Sequence, residues 1–179
     1  MALGRDTRRV RQARRRAGLR ICRWSSSAGE AVASTVQDWG KSFATAGPQI
    51  AGDLVERAHQ IYTKLCGSQS KTRLLHGDLH HDNVLLDSKR GWLAIDPKGV
   101  IGELEYELGA ALRNPYDRPD IFGQRPVIEW RLKQFAAKLP INEMRALRWG
   151  FAQAVLSAIW GIEDGLRRTR QLWPRRCCP

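Results

Sequence analysis

Residues 74–99 read LLHGDLHHDNVLLDSKRGWLAIDPKG. Short apolar runs, RLL at 73–75, NVLL at 83–86 and WLAI at 92–95, alternate here with polar loops, which is too short a period for helix. They predict three short strands, the last two joined across DSKRG as a hairpin. The loops concentrate three histidines and four aspartates. Side chains of that kind serve as metal ligands, as a carboxylate pair for acid and base work, or as hydrogen-bonding groups of a polar turn.

Working outward, the period changes to helical on both sides. Val32, Val36, Trp39 and Phe43, then Ile50, Leu54, Val55, Ala58, Ile61, Tyr62 and Leu65, predict two helices over about 30–46 and 48–66, joined at Gly47. After Gly102 helical patterns return over about 103–113, 126–138 and 142–166, with Pro115, Pro119 and Pro140 between them. Trp39, Trp130, Trp149 and Trp160 lie in these apolar stripes and are expected in the core rather than as a stacking platform for bases. Helices, a hairpin, then helices make a mostly helical α+β chain.

At 179 residues and 42% hydrophobic, the chain has length for one domain. Its apolar runs, such as AVLSAIWGI at 154–162, fall far short of the roughly 20 residues of a membrane span, so a soluble protein is expected. Cys22, Cys66, Cys177 and Cys178 form no CxxC pair, which points to a reducing cytoplasm rather than a disulfide framework. The net charge of +12 belongs to the ends: residues 1–23 hold nine arginines against Asp6, and residues 167–179 hold five arginines and no acid. The body between them is nearly neutral, so nucleic acid is expected, if anywhere, at the two ends. Residues 1–29 read as a basic, disordered leader closed by the flexible join SSSAGE, and 30–179 as the folded unit with a basic tail from about 167. A transit peptide, an RNA-binding arm, a solvated tail or an altered start of the reading frame all fit such a leader.

Within the opening stretch, His76, Asp78 and Asn83 fit H-x-D-x-x-x-x-N, and Asp96 ends the next apolar run. Phosphoryl-transferring kinases use this order. One loop carboxylate faces the substrate hydroxyl, while an amide and a second carboxylate brought back by the hairpin converge on magnesium, which prefers few carboxylates and hard oxygens. Zinc on His76, His80, His81 and Asp82 is disfavoured, because loop spacing lacks the helical geometry of HExxH and no thiolate is near.

HGDLHHDNVL, GWLAIDPKG and ELEYELGAALRNP together resemble the C-terminal lobe of the aminoglycoside phosphotransferase family, in particular its streptomycin 6-kinase (aminoglycoside/hydroxyurea antibiotic resistance kinase) branch. The resemblance covers about residues 30–166 and is strongest over 74–115. It implies a protein-kinase-like C-terminal lobe whose small hairpin carries the catalytic loop, and ATP- and magnesium-dependent O-phosphorylation of an aminoglycoside such as streptomycin. Asp78 would orient the hydroxyl and accept its proton, Asn83 and Asp96 would hold magnesium, and His76 would brace the loop. Lys98 would meet phosphate or pair with a loop carboxylate. Glu103, Glu107, Glu163 and Asp164 are candidates for the cationic groups of the substrate, Glu105 beside them; capping of the helix that begins at 103 is the simpler explanation for any single one of Glu103, Glu105 and Glu107.

The family's Gly-rich loop and strand lysine have no counterpart in residues 1–29, so a chain lacking the N-terminal lobe, truncated or completed by a second chain, is expected. Such a chain would self-associate through the apolar face left bare. The alternative is a catalytically inactive kinase-like remnant that binds a cationic small molecule, or RNA through its ends.

Overall fold

The computed structural model describes residues 34–165, where the chain runs β1 (Ser34–Thr35), α1 (Val36–Gly40), a 3-10 helix (Lys41–Thr45), α2 (Gly52–Gly67) and β2 (Arg73–Leu75). A 3-10 turn (His81–Asn83) leads into β3 (Val84–Asp87) and β4 (Gly91–Ala94), and β5 (Val100–Gly102) precedes the helices α3 (Leu104–Arg113), α4 (Pro119–Phe122), α5 (Arg125–Ala136) and α6 (Glu143–Glu163). The fold is mixed α+β and mostly helical. The basic leader and the tail from 167 lie outside the described residues.

The first helix is shorter than its periodicity predicted. Thr35 closes its N-terminus in a capping box: its hydroxyl accepts from Asp38 N at 3.3 Å while Asp38 Oδ2 accepts from Thr35 N at 3.0 Å. Ser34 and Thr35 are thereby extended, and they pair in parallel with Val100 and Ile101 of β5. On its other side β5 pairs antiparallel with β2, giving a three-stranded sheet in the order β1-β5-β2. The predicted hairpin forms as a separate two-stranded sheet, β3 against β4, with Leu85 opposite Leu93. The 76–83 segment therefore hangs between two sheets rather than at the tip of the hairpin.

The core lies where α3 and α2 pack on α6. Trp149 of α6 is fully buried, and its ring meets Tyr62 of α2 and Tyr106 of α3, each at a centroid distance of 5.0 Å and near edge-on. Tyr62 donates its hydroxyl to the Val36 carbonyl at 2.7 Å, which ties α1 to the same cluster. Gly109 allows α3 to approach α6: a Cβ there would lie 2.3 Å from Gln153 Oε1, while Gln153 Nε2 donates to Tyr106 O at 2.6 Å. The C-terminal carbonyls of α3 find a donor in Arg131 of α5, which reaches Ala111 O at 2.6 Å and Asn114 O at 2.8 Å. Trp130, expected in the core, is 62% exposed. It lies two positions past buried Ile128, about 200° around the helix and so on its outer face. Among the described residues no helix is long and apolar enough to cross a membrane.

Candidate active site

The site begins where β2 ends. Gly77, at φ +84°, turns the chain under Trp39 and Val100; a Cβ there would stand 3.3 Å from the Trp39 ring and 3.0 Å from Val100 Cγ2, so only glycine suits both the conformation and the space. This turn aims two backbone N–H groups at one buried carboxylate. Glu107 of α3 accepts from Gly77 N at 3.1 Å and from Leu79 N at 3.3 Å. Burial pushes the Glu107 carboxyl above the usual range, and the N–H groups of Gly77 and Leu79 pull the other way.

Asp78 stands between those two donors with its side chain 24% exposed. Its Oδ1 accepts from Arg113 Nη2 at 3.2 Å, a charge-assisted bond from the last turn of α3. Burial draws the Arg113 guanidinium down from its usual value and the Asp78 charge opposes that. The second oxygen of Asp78 lies 3.7 Å from His80 Nε2. The backbone around it is held as well: Asp78 N donates to His76 Nδ1 at 3.3 Å, and Asn83 Nδ2 donates to Asp78 O at 2.9 Å.

The hairpin then returns the chain to this loop. Ile95 N donates to Asn83 O at 3.0 Å, His76 Nε2 lies 2.7 Å from Ile95 O, and His76 O accepts from Lys98 N at 2.8 Å. His76 thus ties the outgoing end of the hairpin, at Ile95 and Lys98, to the segment before Asp78. Asp96 follows Ile95 with φ 54°, and its exposed carboxylate pairs with Lys98 Nζ at 2.7 Å, which holds the carboxyl below its usual range. Asn83 and Asp96 are therefore neighbours through one backbone hydrogen bond. With the Asn83 amide nitrogen committed to Asp78, its amide oxygen and the Asp96 carboxylate supply two hard oxygens, a donor set that fits magnesium completed by phosphate and water.

The other candidates fall in two groups. Glu103 and Glu107 face inward: Glu103 accepts from Arg145 Nε and Trp149 Nε1, each at 2.5 Å, as Glu107 does from the loop. Glu105 accepts from Asn142 N at 3.0 Å. Glu163 and Asp164 are exposed at the end of α6, where Glu163 accepts from the Thr45 hydroxyl. His80, His81 and Asp82 hold ligand atoms within 4.8 Å of one another, with His81 Nε2 3.2 Å from Asp82 Oδ1. Arg113 was not singled out from sequence, since an arginine in a last helical turn reads as a complement to the dipole.

The family model for aminoglycoside/hydroxyurea antibiotic resistance kinases matches residues 24–165. The chain is 31% identical over 137 residues to the streptomycin 6-kinase of Streptomyces griseus, covering 66% of this chain and 45% of that protein. It is 43% identical over 115 residues to the streptomycin 3''-kinase of Klebsiella pneumoniae, covering 60% and 42%. To the hydroxyurea phosphotransferase of Kitasatospora aureofaciens it is 30% identical over 125 residues, covering 66% and 35%. The chain thus spans less than half the length of these curated relatives. No solved structure matches it.

Proposed function

The chain belongs to the aminoglycoside/hydroxyurea antibiotic resistance kinase family, and from that we propose that it carries the catalytic loop of an ATP-dependent phosphotransferase acting on an aminoglycoside hydroxyl, with streptomycin as the first substrate to test. The observation that supports this most is that the segments carrying Asp78, Asn83 and Asp96 are joined to one another by the hydrogen bonds of His76, Asn83 and Ile95.

In this reading Asp78 accepts the proton of the substrate hydroxyl on the oxygen not held by Arg113, as that hydroxyl's oxygen bonds to the γ-phosphorus of ATP and the bond to ADP breaks. Arg113 and the Glu107 cradle act as positioning groups, fixing where the Asp78 carboxylate points. Asn83 and Asp96 hold magnesium, which supplies charge neutralisation on the phosphates. Lys98 exchanges its Asp96 partner for phosphate when nucleotide arrives. Among the acids offered to a polycationic substrate, Asp82, Glu163 and Asp164 keep exposed carboxylates, whereas Glu103 and Glu107 are occupied within the fold. Self-association through the exposed Leu74, Leu85, Leu86 and Ile101 belongs to the same proposal.

The test is magnesium-dependent ATP consumption with streptomycin by the purified chain and by Asp78→Ala. Turnover in the first and a loss of at least about 100-fold in the second is the expected result. No turnover in either, with streptomycin still bound, would favour the non-catalytic binding module.

A further inference from the structure

Away from the Asp78 loop, basic side chains collect along one seam. Arg57, Gln60, Lys64 and Ser68 on the α2 side face Arg145 and Arg148 of α6 around a groove of about 330 Å³ with no acidic residue in its lining. The body of the chain outside its arginine-rich ends is nearly neutral, so four cations about one cavity are a local concentration. Their placement also runs against helix electrostatics, because Arg145 and Arg148 occupy the first two turns of α6, where the dipole is already positive.

The internal partners account for only part of this charge. Arg145 is held by Glu103 at 2.5 Å, by Ser68 Oγ at 3.0 Å and by Leu65 O at 3.0 Å. Arg57 lies over the Phe151 ring at 5.8 Å. Lys64 and Arg148 are exposed, and no carboxylate of the described residues forms an ion pair with either. Like charges gathered about a cavity raise the local potential and draw an anion to it.

We propose that this groove binds a small phosphate-bearing anion, with Lys64 and Arg148 as its principal charge contacts. Its size is that of a small-molecule pocket rather than of an extended track for a nucleic-acid backbone. Guanidinium and ammonium groups together suit phosphate, the first as a planar fork and the second as a point charge. The site is separate from the phosphoryl-transfer loop and does not depend on the kinase reading.

Inorganic pyrophosphate is the probe, titrated calorimetrically into the full chain in EDTA so that metal-dependent binding beside Asp96 does not report. One site is expected, weakened at least about tenfold in the Lys64→Ala/Arg148→Ala double variant and unchanged in Lys98→Ala. A Lys133→Ala/Lys138→Ala variant removes the same number of charges at exposed positions elsewhere and should bind as the parent does. Equal weakening in that control would reduce the effect to general charge, and loss of binding in Lys98→Ala would place the anion at the catalytic loop. Competition by single-stranded RNA that disappears in the double variant would make the groove a nucleic-acid surface. Each of these three outcomes overturns the proposal. Both substituted side chains are exposed, so the double variant should keep its melting temperature; the single Arg148→Gln variant, expected to weaken binding severalfold, serves if it does not.

Discussion

At the scale of single residues, two glutamates that read alike in the sequence have different surroundings. Glu103 is 5% exposed and serves Arg145 and Trp149 together, so Glu103→Ala takes the carboxylate partner from Arg145 and leaves the buried Trp149 indole N–H without its acceptor. A cost of about 3 kcal/mol in urea unfolding is expected, because removing one partner of a buried pair leaves the other uncompensated. Glu107 differs in that burial raises its carboxyl from the ordinary 4.5. A raised folded value means that the native state holds the proton more tightly than the unfolded chain. Its contribution is complete below 4.5 and is lost as pH rises through the raised value. Glu107→Gln, which cannot titrate, should therefore flatten the stability curve above pH 4.5; parallel curves for the two proteins across that window would refute the assignment. The spacing of Asp78, Asn83 and Asp96 was legible because motif positions are local in sequence. The partners Glu107 and Arg113 were not, since an acidic helix start and a basic helix end satisfy the dipole before any tertiary contact is considered.

At the scale of elements, the long periodic helices and the short strands β2, β3 and β4 were legible, whereas β1 and β5 were not. The α6 helix shows its apolar stripe over 21 residues, whereas β1 has two residues and β5 three, too few for any period to register. The late start of α1 is a related case: Thr35 and Asp38 mark a capping box that apolar spacing alone passes over. The contact that sets α3 against α6 is made at Gly109. In Gly109→Ala the new Cβ meets the Gln153 amide, which must swing away and release its 2.6 Å bond to Tyr106 O. A loss of about 1–3 kcal/mol is expected in thermal or denaturant unfolding.

At the scale of the whole molecule, the mixed fold was legible from the order of periods, but the division of the strands between two sheets was not. Pairing partners are chosen by tertiary geometry, and β5 joins β1 in parallel across more than sixty residues of chain. The same division leaves apolar side chains outward: Leu74 and its cross-strand partner Ile101 are 65% and 39% exposed, and Leu86 is 48% exposed. Leu74→Lys with Leu86→Lys should remove concentration-dependent association in sedimentation velocity while changing stability by less than about 0.5 kcal/mol per site. A sedimentation coefficient that is already independent of concentration in the parent protein would refute it.

The suspension of the 76–83 segment from α3 has a mechanical consequence. Glu107 grips the turn from one end of the helix and Arg113 grips Asp78 from the other, so the loop is bolted at two points to a single rigid rod. Rolling that rod by even a fraction of a turn would displace both bolts together. The precision with which Asp78 is aimed is therefore inherited from the fit of α3 in the interior, and drift in buried packing would detune the site while every residue of its loop stayed the same.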